Sequence, residues 1–220
     1  MRLTEKLILG TAQLGMSYGI NNHNGKPSRA EAFEILKLAQ DNGILFLDTA
    51  PGYGESQRVI GAYHSEYPGF EVITKFAVNQ PFILTKEVEQ SFQQLNIESI
   101  HCLMYHRFND CFDQDIRNSL IELKHSGKIQ KIGISVYGND QFEEAISLTH
   151  VDVIQIPFNV LDNRNQRGQL MMKAKKNGKE IHVRSVFLQG LFFMSPNRMP
   201  ESLKPLAGYL NQLNTIATGA

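Results

Sequence analysis

Four side chains able to hold or pass a proton stand at or just beyond the ends of short apolar runs. Asp48 lies near the end of 44–50, Lys75 near the end of 71–76, His106 at the end of 100–106, and Tyr53 in the stretch Gly52-Tyr53-Gly54. Taken singly, each has a structural reading. Asp48 can cap the turn at 49–54, Lys75 can lay its stem along a strand end with its ammonium in water, His106 can be a satisfied core histidine, and Tyr53 can be loop packing. Together they are more specific, because the order of the runs brings all four to one mouth. The rival use of histidine, metal binding, finds little support. His101 and His106 are five apart on one run, hence on opposite faces of a strand, and H-E-x-x-H is absent. No metal site is expected.

The elements that must position these residues read as an alternation. Near-continuous apolar runs at 6–13, 44–50, 71–76, 100–106, 131–137, 153–159 and 180–187 suit parallel strands buried on both faces. Between them, helical spacing predicts helices to about 42 from an N-cap at Ser28, then at 57–64, 85–96, 113–126, 139–148 and 166–177. Val88, Phe92 and Leu95, at i, i+4 and i+7, are one such stripe. Gly43, Gly127 and Gly178 each follow a helix, where a left-handed C-cap is needed. The pattern is βα six times, then a seventh strand and a helix starting near Ser202.

This alternation admits a doubly wound sheet or a (β/α)8 barrel. A dinucleotide-binding doubly wound fold would carry G-x-G-x-x-G after its first strand. Here the chain runs Gln13-Leu14-Gly15-Met16-Ser17-Tyr18-Gly19, which does not match. The expected fold is therefore a TIM-type (β/α)8 barrel of parallel strands, lacking the eighth at the C-terminus, as one domain over 1–220. Alternate residues of a barrel strand face its interior. That parity groups Phe46, Asp48 and Ala50, then Ile73 and Lys75, then Ile100, Cys102, Met104 and His106, then Gly133 and Ser135, then Val153, Gln155 and Pro157. Each column is largely apolar and carries a polar residue at or near its C-terminal end, where catalytic groups of such barrels sit.

Composition narrows the partners. The 220 residues carry 22 Lys+Arg and 22 Asp+Glu, so there is no overall basic bias towards nucleic acid or a membrane surface. There is no run of 18 apolar residues for a membrane span, and Leu7-Ile8-Leu9 is too short for a signal-peptide core. Cys102 and Cys111 make neither a disulfide framework nor a C-x-x-C pair, which suits the cytoplasm.

Beyond these readings, the chain resembles a known family. Asp48-Thr49-Ala50-Pro51-Gly52-Tyr53-Gly54-Glu55-Ser56 with Ile60-Gly61 is similar to the signature that follows the second strand of the aldo-keto reductases. Leu9-Gly10-Thr11-Ala12, Ile73-Thr74-Lys75, Tyr105-His106-Arg107, Gly133-Ile134-Ser135 and Gln155 with Asn159 resemble its motifs on strands one and three to six. Arg184-Ser185-Val186-Phe187-Leu188-Gln189-Gly190-Leu191 resembles its strand-seven loop. The resemblance covers about residues 6 to 191 and keeps motif order.

The resemblance implies an oxidoreductase that moves hydride between NAD(P)H and an aldehyde, ketone or sugar carbonyl. It implies a tetrad in which Tyr53 is the general acid/base, Lys75 lowers its pKa, Asp48 holds Lys75, and His106 donates to the carbonyl oxygen. A phenol near pKa 10 needs such a cation to be useful at neutral pH. The resemblance further implies cofactor contacts from Gly10, Thr11, Ala12, Asp48, Ser135, Gln155, Arg184, Ser185, Phe187, Gln189 and Gly190, with NADP(H) expected over NAD(H). Phe108, Phe112, Phe192 and Phe193 imply a partly apolar substrate pocket. The chain departs from the family pattern at Val136, where Asn is common, and at Arg184, where an aromatic often stacks on the nicotinamide. The eighth strand and the loop that grips the adenosine phosphate are also not found. The alternative is therefore a catalytically weak or inactive barrel fragment acting through protein contacts, with self-association at an open seam.

Overall fold

The computed structural model describes residues 3–78 and 80–219. Seven strands form one parallel sheet in chain order: β1 (Ile8–Gly10), β2 (Phe46–Asp48), β3 (Glu71–Phe76), β4 (Ile100–Tyr105), β5 (Ile129–Ser135), β6 (Val153–Pro157) and β7 (Glu180–Arg184). Parallel neighbours need long crossovers, and helices supply them. After β1 come a single turn, α1 (Ala12–Gly15), and α2 (Arg29–Asp41). Then α3 (Ser56–His64), α4 (Pro81–Leu95), α5 (Gln114–His125), α6 (Asn139–Ser147) and α7 (Arg164–Lys176) follow the next five strands. The final helix is α8 (Ala207–Thr218).

Local chemistry accounts for the helix ends. Ser28 and Glu31 form a reciprocal capping box at α2. Asp113 caps α5 by accepting from the backbone of Asp115 and Ile116. Gly43, Gly127 and Gly178 take φ of 79°, 74° and 74°, the left-handed region required behind a helix. β1, β2, β6 and β7 are shorter than the runs 6–13, 44–50, 153–159 and 180–187, β5 lies two residues earlier than 131–137, and two helix starts differ most from expectation. α4 starts at Pro81 rather than near 85, because proline at the first helical position has its φ already set and needs no N–H partner. Near Ser202 the chain forms a 3-10 segment, Glu201–Leu206, and the α-helix waits until Ala207, since Pro205 disfavours α geometry in the residue before it.

The sheet curls. Gln155 Nε2 on β6 donates to Asp48 Oδ2 on β2 at 2.6 Å. In a flat sheet these strands would lie roughly 19 Å apart, four spacings of about 4.8 Å. Ile8, Phe46, Ile73, Cys102, Met104 and Val153 meet in one interior cluster. Gly133 is small for the same reason, since a Cβ there would lie 2.6 Å from Met104 Cγ and 2.8 Å from Cys102 Sγ. The parity holds except at Ile100. That residue belongs, with its register partner Ile129, to the large cluster between sheet and helices and not to the interior cluster of Cys102 and Met104. Among the described residues β1 and β7 are each paired on one side only, so the molecule is a curled, partly open (β/α)8 plan with one strand lacking.

Candidate active site

The strand ends deliver their polar residues to one mouth. β2 closes on Asp48, and the chain then passes through buried Thr49 and Ala50. Three hydroxyls lock this exit. Ser56 Oγ lies 2.8 Å from Thr11 Oγ1 and 3.1 Å from Thr49 Oγ1, and Thr11 Oγ1 donates to the Asp48 carbonyl at 2.9 Å. The Tyr53 loop is braced by α1. Glu55 N donates to Gly15 O at 3.1 Å, and a Cβ on Gly15 would stand 1.8 Å from the Tyr53 carbonyl oxygen. Only glycine fits there.

Lys75, on β3, is buried, with 2% of its side chain exposed. Its ammonium donates to Asp48 Oδ1 at 2.5 Å and to the Thr49 carbonyl at 3.1 Å, and lies 5.2 Å from the centre of the Tyr53 ring. Asp48 thus holds two donors, Lys75 on one oxygen and Gln155 on the other, while Ser135 Oγ donates to Gln155 Oε1 at 3.3 Å. A polar chain runs from β5 through β6 and β2 to β3.

Burial pushes the Tyr53 phenol up, and the nearby Lys75 ammonium opposes this without reversing it. The lowered pKa implied by the resemblance is therefore not the state of the protein by itself: Tyr53 is a neutral acid, and the cation offsets only part of its desolvation. His106, half-buried, is held below the ordinary imidazole range by burial first, then by the charges of Lys75 and Arg184. It stands as a neutral ring able to donate one hydrogen bond.

The structure brings Asp48, Lys75, Ser135 and Gln155 into direct contact, with Tyr53 against Lys75. The other candidates divide. Gly10 is exposed at the rim, and a Cβ there would meet nothing within 4 Å. Ala12 begins α1 and is half-buried. Thr11 is fully buried, and its hydroxyl belongs to the scaffold rather than the mouth. Ser185, Leu188, Gln189 and Gly190 all take positive φ, a concentration of left-handed backbone in six residues. Successive turns of this kind make concave N–H nests that suit anions. Gly190 also packs on the loop after β1, where a Cβ would lie 2.9 Å from Asn21 Cβ. Phe187 is exposed and pairs with Phe193 at 5.2 Å between ring centres. Among the described residues, no group of three or more His, Cys, Asp or Glu is placed to hold a metal ion.

Two contributors escaped the sequence reading. Arg167 forks onto Asp162 with two 2.6 Å bonds and donates to the Tyr137 carbonyl at 2.9 Å, fixing the loop that follows Ser135. Tyr137, expected as the end of a strand, stands beyond β5, and the Arg184 guanidinium lies 4.2 Å over its ring. No local pattern marks Arg167, although an arginine one turn inside a helix and five residues after an aspartate is a spacing worth testing.

The model of the aldo/keto reductase family matches residues 6–214. The NADH-specific methylglyoxal reductase of Escherichia coli is 29% identical over 211 residues, covering 83% of this chain and 64% of the relative. The aldo-keto reductase YhdN of Bacillus subtilis is 27% identical, covering 70% and 51%. The chain thus spans between about half and two thirds of the length of these relatives. Among solved structures, the aldo-keto reductase from Bacillus halodurans in its holo form is similar with a TM-score of 0.73 at 21% identity, covering 89% of this chain and 66% of that one. The glycerol dehydrogenase from Gluconobacter oxydans is similar at 0.70 and 23%, covering 90% and 65%.

Proposed function

This chain belongs to the aldo/keto reductase family, and from that premise we propose that its mouth reduces an aldehyde, ketone or sugar carbonyl with a nicotinamide cofactor, Tyr53 acting as the proton donor. The observation that carries this reading is the buried Lys75 ammonium, clamped by Asp48 at 2.5 Å and set against the Tyr53 ring. A buried, paired lysine beside a half-buried phenol has a chemical use: it stabilises the phenolate left when the proton departs.

The residues fit a nicotinamide dinucleotide. Gly10 leaves the rim open to close approach, Ser135 and Gln155 offer a hydroxyl and an amide at the strand ends, and the left-handed backbone of 185–190 suits a diphosphate. The cofactor, when bound, supplies the hydride for the carbonyl carbon. His106, neutral, donates a hydrogen bond to the carbonyl oxygen and polarises it. The Tyr53 hydroxyl then gives its proton to that oxygen. Lys75 faces the resulting charge, and Asp48 with Gln155 keeps the ammonium in place. Phe187 and Phe193 offer apolar surface beside the mouth. NADP(H) is the proposed form; the E. coli relative is named for NADH specificity, so an NADH preference is the competing outcome. The proposed location is the cytoplasm. Both cysteines are free and buried, which suits a reducing compartment.

A second reading rests on the half-paired β1 and β7. Exposed edges of strands are templates for pairing, and a barrel open there can act through protein contacts or self-associate, with weak or no turnover. Fluorescence titration with NADH and NADPH, followed by a panel of carbonyl substrates, separates the two. Saturable binding with turnover supports the reductase. Neither binding nor turnover at millimolar cofactor overturns it.

A further inference from the structure

The Lys75 ammonium carries three N–H donors at tetrahedral angles, and the fold fixes the direction of two. One goes to Asp48 Oδ1 at 2.5 Å and one to the Thr49 carbonyl at 3.1 Å, so these two aim the third, which is left for the Tyr53 hydroxyl. The aim depends on where the Thr49 carbonyl stands. Thr49 is fully buried, and its backbone N–H donates to the Ile73 carbonyl of β3 at 2.9 Å. Its side chain is tied to Ser56.

Proton counting gives that tie a direction. Thr11 Oγ1 donates its proton to the Asp48 carbonyl. Ser56 has a single hydroxyl proton, and it goes to Thr11, whose hydroxyl and carbonyl oxygens lie 2.8 and 3.0 Å away. Thr49 must then donate to Ser56 Oγ, at 3.1 Å. The Ser56 backbone N–H donates to the Tyr53 carbonyl, also at 3.1 Å. One fully buried residue at the start of α3 therefore holds three things: the residue whose carbonyl aims the lysine, the loop that carries the phenol, and the exit of β1.

On the reading that Tyr53 is the proton donor, we propose that Ser56 is a positioning residue for that acid: its hydroxyl fixes Thr49, and the Thr49 carbonyl in turn keeps a Lys75 N–H on the Tyr53 hydroxyl. Without the Ser56 hydroxyl, Thr49 keeps its backbone bond to β3, but its own buried hydroxyl loses its acceptor and turns towards another. The ammonium follows the carbonyl, and its hold on the phenolate weakens with distance.

The test uses Ser56→Ala, Thr49→Val, the double variant and, as a control destabilised away from this network, Gly61→Ala. Per folded molecule, kcat and KM are measured for the best carbonyl of the substrate panel. The pH dependence of kcat is measured for oxidation of the corresponding alcohol, where Tyr53 is the base and needs its phenolate. In Ser56→Ala, kcat is expected to fall about tenfold with KM within about twofold, and the limb of the oxidation profile to move to higher pH by about 0.5–1. Thr49→Val is expected to do the same and the double variant no more than either, as for residues acting through one contact. Gly61→Ala is expected to move neither kcat nor the limb. A second readout needs no turnover. The chain has 7 tyrosines and no tryptophan, so its near-ultraviolet absorbance follows phenol ionisation cleanly. The difference between each protein and its Tyr53→Phe counterpart, read just after a rapid pH jump, isolates Tyr53, whose midpoint is expected to be higher in Ser56→Ala. An unchanged kcat overturns the proposal. So does a lower kcat with both the limb and the phenol midpoint unmoved, which assigns Ser56 to the fold alone. A moved phenol midpoint in a protein whose wild type turns over no carbonyl would refute the reductase reading and leave the positioning of Tyr53 by Ser56 standing.

Discussion

Two donors on one carboxylate set the character of the mouth at the scale of single residues. Asp48 receives Lys75 and Gln155 on its separate oxygens, so the ammonium is both neutralised and aimed. Removing one member of a buried pair leaves the other charge uncompensated. Lys75→Met is therefore expected to lower stability by about 3 kcal/mol, read as a shift in the urea midpoint, and to abolish turnover. Tyr53→Phe isolates the chemistry from the scaffold. The hydroxyl it removes faces the Lys75 ammonium, which Asp48 and the Thr49 carbonyl hold without it. Turnover is expected to fall by about 10²–10⁴, while cofactor affinity stays within about twofold, as for a group that acts in the transition state. Near-normal kcat in Tyr53→Phe would remove Tyr53 from the role of acid.

At the scale of elements, the site depends on how closely two short segments approach. α1 touches the Tyr53 loop through Gly15, where a methyl group would overlap backbone at 1.8 Å. Gly15→Ala must push the Tyr53 loop outward, so kcat is expected to drop at least tenfold, because a displacement of about 1 Å can cost as much as 10²-fold. Activity and melting temperature measured together check this; an Ala variant with full activity would show that the loop position does not matter. Gly61 plays the purely structural counterpart. A Cβ there would meet the Gln94 carbonyl oxygen at 2.0 Å, so α3 and α4 can pack only through glycine. Gly61→Ala is expected to destabilise without altering the substrate preference of whatever protein remains folded. Both glycines are visible in the sequence, yet nothing local separates them from Gly52, whose Cβ would meet nothing. The distinction is made by another helix or loop arriving from elsewhere in the chain.

At the scale of the molecule, burial of ionisable groups sets the response to acid. His64, His101, His106 and His150 are all held below the ordinary imidazole value, burial being the first cause in each, and His150 reaches about 4. Below pH 6.5 the unfolded chain therefore binds more protons than the folded one, and stability falls as pH drops from about 6.5 towards 4. Glu180, held at about 2 by His182 and Lys131, adds its loss at lower pH, from about 4.5 downward. An unfolding free energy lower at pH 5 than at pH 7.5 by roughly 1–2 kcal/mol is expected once solvent screening of these half-buried groups is allowed for, read as a lower urea midpoint. A midpoint that rises on acidification would contradict it. The half-paired β1 and β7 act at the same scale. With Val183 44% exposed on β7, the apparent mass in sedimentation is expected to increase with concentration, and a mass constant from micromolar to millimolar would show the edges to be inert.

What the sequence determined by itself is what short-range physics controls. The runs that became β3, β4 and β6 begin where the apolar pattern begins, the helices end at Gly43, Gly127 and Gly178, and the two-residue period of a strand places Asp48, Lys75, Ser135 and Gln155 on inward columns. These follow from backbone sterics and from which face of an element is buried. What only the tertiary structure decided lies between columns. The Asp48–Gln155 bond joins residues 107 apart and exists because the sheet curls. The Thr11 hydroxyl turns inward because Ser56 and the Asp48 carbonyl meet it there, and Ile100 joins the cluster between sheet and helices rather than its column. The Tyr53 phenol is raised because desolvation around it outweighs one neighbouring cation, and Arg184 lies on Tyr137 because β7 runs beside β6 in a particular register. Each of these depends on groups brought together across long stretches of chain, and their balance of charge, burial and distance has no counterpart in any local pattern of residues.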